Sequence, residues 1–326
     1  LTAVTLVSRI HKQLHVKIPV AQVFRTPTVR EMAAAVTAIL QETGTGNQTQ
    51  DRFTAIPPAP VMDHYPVSSA QRRLFILDQL DDTRAGYHLP GFFVLEGTLD
   101  TEKFQAAFFQ LVQRHQSLRT SFLTIDHQPR QIIHDNVDFQ IEPLPYPDNP
   151  GPRRFRSFIR PFDLSVAPLI RAGLTEEREG KRYLLMDMHH IISDGISYAI
   201  FLNELLASYA QKELEPLTIQ YKDYSHWQTG TARDEARKQH RDYWTNLFSR
   251  DIPVLNLPAD FPRPAVQRFE GKRKVFSIDK KLTRELKQMA LDVDGTLFII
   301  LLAAYNVLLS RLSGQEDIVA GTVVSG

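Results

Sequence analysis

The sequence predicts a layered α/β domain behind a small all-α unit, and three observations carry that prediction. Apolar residues recur at helical spacing through residues 1–40; a stretch rich in glycine and proline follows; beyond it, short apolar runs alternate with amphipathic stretches. In the first stretch Leu1, Val4, Val7, Ile10 and Leu14 share one helical face. Ile18-Pro19-Val20 reads as a connection or a single turn. Thr28-Val29-Arg30-Glu31 has the form of a capping box, opening a second helix with Met32, Val36 and Leu40 on one side.

From 41 to 66 the composition changes. Gly44, Gly46, Asn47 and Gln48, then Pro57, Pro58 and Pro60, describe a flexible and then stiffer linker. Gly44-Thr45-Gly46 lacks the third glycine of a dinucleotide fingerprint, because Thr49 stands there. In the body, 91–96, 131–142 and 183–189 read as strands. The stretch 101–115 reads as a helix with Phe104, Phe108, Leu111, Val112 and His115 on one face. A helix over 196–211 gathers Ala199, Ile200, Leu202, Leu205, Leu206 and Tyr209 into an apolar stripe. Two further helices fall at 280–292 and 297–312, and 319–326 reads as the start of a strand. The apolar stretch 297–309 contains Asn306 and is shorter than the roughly 20 residues a membrane span needs, so it reads as a buried helix.

Composition narrows the chemistry. With 38 Lys+Arg against 37 Asp+Glu the formal charge is +1, which gives no general pull toward nucleic acid or anionic lipid. Arg153-Arg154-Phe155-Arg156 and Arg160 therefore read as a solvated face. The absence of cysteine excludes disulfides, a thiolate nucleophile and thiolate-bound metal. Gly195-Ile196-Ser197-Tyr198-Ala199 lacks the second glycine of a nucleophile elbow, and Ser197 falls inside a helix.

The most informative segment is Met188-His189-His190-Ile191-Ile192-Ser193-Asp194-Gly195, at the junction of an apolar strand and a helix. Strand alternation sets His189 with Leu185 and Asp187, and His190 with Met186 and Met188 on the other face. Adjacent strand histidines point apart and make a poor ligand pair for one metal. One histidine serves packing and the other a site at the strand end; parity alone does not say which. Asp194 reads first as an N-cap or, with Gly195, as a turn, and part of a chemical site is the lesser alternative.

At this point the residues carry a family resemblance. His189-His190-Ile191-Ile192-Ser193-Asp194-Gly195 resembles the HHxxxDG motif of nonribosomal peptide synthetase condensation domains, shared with relatives of chloramphenicol acetyltransferase. Ser68-Ser69-Ala70-Gln71-Arg72-Arg73-Leu74-Phe75-Ile76-Leu77 resembles the opening motif of that family. Arg114-His115-Gln116-Ser117-Leu118-Arg119-Thr120-Ser121-Phe122 resembles the second, with Gln116 where Glu is usual. Tyr221-Lys222-Asp223-Tyr224-Ser225-His226-Trp227 is similar to the fourth, and 318–326 to the start of the fifth, with Val323 in place of proline. Residues 1–10 resemble the helix that follows the phosphopantetheine-bearing serine of a peptidyl carrier domain, and that serine would stand just before Leu1.

The resemblance, of the tyrocidine-synthetase type, implies the rear of a carrier domain (1–42), a linker (43–64) and a condensation domain (65–326). The latter implies two chloramphenicol-acetyltransferase-like α/β lobes, the first over about 65–250 and an incomplete second from about 270. The implied reaction is attack of an acceptor aminoacyl thioester's amine on a donor thioester, without a covalent enzyme intermediate. His190 is then the active-site histidine, as general base or as the group that orients the amine. His189 is structural support, Gly195 leaves room at the reacting carbonyl and offers its N–H to an oxyanion, and Asp194 is structural through an ion pair with Arg119. Implied partners are upstream donor and downstream acceptor carrier domains bearing 4'-phosphopantetheine and neighbouring adenylation domains, in the cytoplasm, with no metal, nucleic acid or membrane. The short linker and the lone His64 point to an L-configured donor. Ester formation, an epimerase-type relative and a non-catalytic docking or gatekeeping module are the alternatives, and activity of residues 1–326 alone is not expected.

Overall fold

The computed structural model describes residues 2–14, 16, 18–26, 28–43, 56–80, 86–147, 151–230, 234–262, 272 and 274–322. Its contacts divide the chain into two compact units, Thr54–Asp242 and a second made of Leu1–Phe53 with Tyr243–Gly326.

The first unit holds β1 (Tyr65–Pro66), α4 (Ser69–Leu80), β2 (His88–Glu96), α5 (Thr101–Arg114), β3 (Thr120–Ile125), β4 (Gln128–Ile133), β5 (Glu142–Leu144), β6 (Ile170–Thr175), β7 (Lys181–His189), α6 (Gly195–Tyr209) and α7 (Tyr221–Thr229). A four-stranded sheet runs β2-β7-β6-β5, antiparallel except for the β5–β6 pair, and a three-stranded sheet runs β1-β4-β3. The expected strand at 131–142 is divided: β4 ends at Ile133, and pairing resumes only at β5. Asp135, Asn136 and Asp138, turn-forming residues, occupy the gap.

Strand β7 is central and buried on both faces, which explains its unbroken apolar run. On one face Leu184, Met186 and Met188 meet α5 and α6 through Phe104, Phe108, Leu111, Phe201 and Leu205. On the other, Tyr183 and Leu185 meet Phe155 and Phe158. Helix α5 buries the face expected of it, except that His115 lies beyond its end as the C-cap. Helix α6 turns differently from the expected stripe: Phe201, Leu205 and Ser208 are buried, while Ile200 and Leu206 are 47% and 62% exposed. A helix that is apolar nearly all round has no sequence signal for which side meets the sheet.

Register is set at the β6–β7 hairpin. Glu179 and Gly180 both take positive φ, 54° and 70°, between the bridged pair Arg178 and Lys181. Positive φ at both central positions gives the turn whose twist suits a two-residue hairpin, and glycine accepts it without strain. From that turn the pairing runs Leu174 to Leu184 and on to Ile170 opposite Met188. A slip of one residue would exchange the faces of His189 and His190.

In the second unit, α1 (Thr2–Leu14), α2 (Val20–Arg25) and α3 (Val29–Thr43) enclose Val16, Ile18, Met32 and Val36. The six-residue α2 replaces the expected connection. The capping box is formed reciprocally: Glu31 N–H donates to Thr28 Oγ1 at 3.3 Å and Thr28 N–H to Glu31 Oε2 at 3.2 Å. Leu1 and most of the expected linker, 44–55, lie outside the described residues. Helices α8 (Asp234–Leu247), α9 (Lys280–Asp292) and α10 (Leu297–Ser313) follow, α8 spanning the boundary between units. The expectation of a buried α10 is corrected: Leu309 is buried, but Phe298, Ile299, Tyr305 and Leu308 are about half exposed. Its main helical neighbour is α9, and one neighbour covers one side of a helix. Residues 319–322 form no strand, and 323–326 lie outside the described residues. Among the described residues no single helix is long and apolar enough to cross a membrane.

Candidate active site at the end of the central strand

The two histidines separate as alternation requires. His189 is 1% exposed, whereas His190, the first residue past β7, is exposed. His190 N–H donates to the Tyr87 carbonyl at 2.8 Å, extending the β2–β7 ladder by one bond, and the chain then turns through 191–193 into α6.

The ring atoms are held in opposite tautomers. Nδ1 of His190 lies 2.8 Å from the Ser193 carbonyl. A carbonyl only accepts, so Nδ1 carries the proton and the Nε2 lone pair is left for another partner. His189 is the reverse: its Nδ1 accepts from Ile191 N–H at 3.1 Å, so the proton sits on Nε2, 3.9 Å from Asp78 Oδ1. Burial, reinforced by His88 and His190, pulls the His189 pKa down to about 4. The buried ring is therefore neutral at pH 7.

Asp194 is the N-cap of α6. Its Oδ1 accepts from Ser197 N–H and Ser197 Oγ–H, each at 2.7 Å. Partial burial pushes this carboxyl up, but the Ser197 donors, the Ile196 N–H and the nearby His190 outweigh it and hold it below its ordinary value. The expected ion pair with Arg119 is not formed. The Arg119 guanidinium donates to the Gln113 and His134 carbonyls, closing the link between α5 and β4. Short-range capping by Ser197 satisfies Asp194 without a distant cation. Gly195 opens α6, and a Cβ built there meets nothing within 4 Å, so space lies in front of the turn.

The other motif segments hold this turn in place. Ser68 and Gln71 form a capping box on α4: Ser68 N–H donates to Gln71 Oε1 at 2.9 Å, and Gln71 N–H to Ser68 Oγ at 3.2 Å. Buried Gln71 also accepts from Ser225 Oγ at 3.3 Å and reaches the Ile191 carbonyl at 3.5 Å, while Ser68 Oγ meets Tyr221 Oη at 3.0 Å. Burial is the largest of the influences that raise the Tyr221 hydroxyl's pKa, and the charge of Asp194 adds to it. From behind, Arg114 Nε and His115 Nε2 grip Glu204 of α6 at 3.1 and 2.6 Å. Gln220 at the start of α7 donates to the Arg114 carbonyl at 3.0 Å and accepts from Gln116 N–H at 3.1 Å. Sequence reasoning assigned no role to Gln71, Glu204 or Gln220. Two signals were available: Ser68-Ser69-Ala70-Gln71 has the form of a capping box, and Glu204 is an acid within an apolar helix. Among the described residues no group of three or more His, Asp or Glu side chains is arranged to hold a metal.

The family model described as "Condensation domain" matches residues 61–326, a span that contains the whole of this site. The chain belongs to the condensation-domain family. A second model, "Phosphopantetheine attachment site", matches residues 1–36, so this condensation domain follows carrier-type sequence in one chain. Tyrocidine synthase 3 of Brevibacillus parabrevis is 44% identical over 326 residues, all of this chain and 5% of that protein. Gramicidin S synthase 2 of Brevibacillus brevis is 42% identical over the same length, 7% of that protein. The chain thus spans a small fraction of the curated relatives it matches. Among solved structures, the complex of the X-domain and OxyB from teicoplanin biosynthesis superposes with a TM-score of 0.73 at 25% identity, over 80% of this chain and 60% of that one. The α/β layering is that of a condensation domain, and the sequence in front of it matches a model for the site at which 4'-phosphopantetheine is attached.

Proposed function

We propose that the chain forms the amide bond between two carrier-bound aminoacyl or peptidyl groups, with His190 at the centre of the reaction. The observation that supports this reading is the exposed His190 ring, fixed by the Ser193 carbonyl so that Nε2 presents a lone pair. The phosphopantetheine arms deliver the substrates as thioesters, already activated, so the protein supplies orientation and proton handling.

An α-amine has an ordinary pKa of about 7.7–8.0 and attacks only when neutral. As the new C–N bond forms, the attacking nitrogen acquires positive charge and sheds a proton. Nε2 of His190 accepts that proton, or the hydrogen bond that orients the amine, while Nδ1–H stays on Ser193. The C–S bond then breaks, and the departing thiolate takes up the proton. A general base of this kind contributes typically about 10²–10⁴-fold. The open space before Gly195 suits the close approach of the thioester carbonyl, and its N–H opens α6 where negative charge is favoured. Asp194 and His189 act as supports, and Arg119 braces the fold away from them.

The same reading assigns 1–42 to a carrier segment, 43–64 to a linker and 65–326 to the condensation domain, with a first lobe over about 65–250 and a second from about 270. Its partners are donor and acceptor carriers and neighbouring adenylation domains, its compartment the cytoplasm, and its donor L-configured; a D residue at that position of the product would refute the last. A non-catalytic docking role is the second reading, supported by the likeness to an X-domain solved in complex with OxyB. The test uses a synthetase carrying this chain, with both carriers loaded, and mass spectrometry for the dipeptidyl thioester. Product with wild type and none with folded His190→Ala supports condensation through His190. Equal product from both removes His190 from the mechanism, and no product from either favours docking.

A further inference from the structure

One carboxylate beneath His190 has no part in that reading. Asp187 lies on β7 three residues before His190, is fully buried and shares a face with His189. Its Oδ2 accepts from His88 Nδ1 at 2.8 Å and from the Arg171 guanidinium at 3.4 Å. His88 stacks on Phe162 with centroids 5.2 Å apart, and Arg171 lies 3.6 Å from the centre of the same ring. The carboxylate thus ties β2, β6 and β7 together at one point.

That point falls at the end of the ladder. His88 stands directly opposite His189, and the residue before it, Tyr87, accepts the His190 N–H. Two buried atoms beside this rung have no hydrogen-bond partner: Oδ1 of Asp187 and Nε2 of His189. The first is an acceptor and the second a donor, because His189 accepts at Nδ1. Side chains two residues apart on one strand face are separated by about 6.6 Å. Two hydrogen bonds of about 2.8 Å through one water span about 4.5–5.5 Å, so one water bridges the two atoms when the side-chain ends lean toward each other by an ångström or two from that backbone spacing. Buried polar atoms of this kind are commonly satisfied by ordered water where further polar groups line the space, and Asp78 Oδ1 lies 3.9 Å from the same nitrogen.

We propose that Asp187 is a positioning residue for the condensation site: its carboxylate locks the last rung of the β2–β7 ladder through His88, and one ordered water shared with His189 Nε2–H completes the lock. The inference rests on the reading of His190 given above. The lock fixes where His190 stands, so it acts on turnover and leaves affinity for the carriers unchanged. Misplacing a reacting group by an ångström costs up to about 10²-fold.

The test compares His88→Leu with His88→Asn in the loaded-carrier assay, with circular dichroism confirming the fold of each. His88→Leu removes the donor to Asp187 and is expected to lower kcat about tenfold or more at unchanged KM. His88→Asn returns a donor near the position of Nδ1 and is expected to recover most of that loss. A high-resolution crystal structure of the unaltered protein is expected to show a water within hydrogen-bond distance of both Asp187 Oδ1 and His189 Nε2. Wild-type kcat in folded His88→Leu, equal losses in the two variants, or a dry gap between those atoms overturns the proposal. If His88→Leu does not fold, the crystal structure decides. His190→Ala, run beside them, separates the readings: if it keeps full activity the His190 assignment fails, whereas an inert His88 beside an essential His190 fails the lock alone.

Discussion

Replacing Asp194 with alanine separates two accounts of the motif that carries it. An aspartate in a buried ion pair costs about 3–5 kcal/mol when removed, because its partner charge is left unpaired. The structure makes Asp194 an exposed N-cap instead, accepting two 2.7 Å hydrogen bonds from Ser197 and touching no cation. Loss of such a cap costs typically about 1 kcal/mol, within a range of about 0.5–2. With a urea m-value of about 2.5 kcal/mol/M, 1 kcal/mol moves the unfolding midpoint by about 0.4 M, whereas an ion pair would move it by more than about 1.2 M. Urea unfolding followed by far-ultraviolet circular dichroism reads the difference. Asp194→Ser and Asp194→Asn keep a capping oxygen and are expected to unfold within a few tenths of a kcal/mol of wild type. The carboxyl titrates lower in the folded chain than its ordinary 3.8, so its contribution is present above that value and is lost as pH falls through the folded one. The gap between wild type and Asp194→Ala should therefore narrow under acid. A midpoint shift above about 1.2 M, unrelieved by serine or asparagine, would refute the capping account.

Two further outcomes follow from the same neighbourhood. His189 titrates near 4 in the folded chain against 6.5 for the free side chain, so the unfolded chain binds one more proton between those values and stability falls as pH drops through that window. The slope is about 1.4 kcal/mol per pH unit and the total about 3 kcal/mol. His189→Leu should flatten the profile by one proton, and an unchanged slope would count against a buried neutral ring. Gly91→Ala places a Cβ against Tyr198 Oη and 2.7 Å from the Phe93 ring. Overpacking of that kind costs about 1–3 kcal/mol. A Gly91→Ala/Tyr198→Leu double variant should lose less than the sum of its parts, and strict additivity in calorimetry would show that the two do not meet.

Much of the organisation was legible in local pattern. Helical spacing and the Thr28–Glu31 capping box mark α1 and α3, the α5 face from Phe104 to Val112 is the buried one, and strand alternation alone sends His189 and His190 to opposite faces. These features depend on residues within a few positions of one another, and short-range geometry is what sequence periodicity encodes. The buried side of α6 was not legible, because a helix apolar nearly all round carries no directional signal, and the exposure of α10 follows from α9 being its main helical neighbour, which local pattern does not encode.

The site divides in the same way. Its motif, its histidines and the absence of a cysteine or serine nucleophile belong to the sequence. Which histidine faces solvent depends on the register set at Glu179-Gly180. The tautomers depend on carbonyl and N–H groups of the turn at 191–193, and the supports Gln71, Glu204 and Gln220 come from helices far apart in the chain. The pairing expected between Asp194 and Arg119 gives way to a nearer partner for each. Sequence names the groups that do chemistry, because their types and local spacing are written along the chain. Tertiary structure alone decides which of them are desolvated, which nitrogen holds a proton and who braces whom, because burial and hydrogen bonding are set by neighbours that folding brings together.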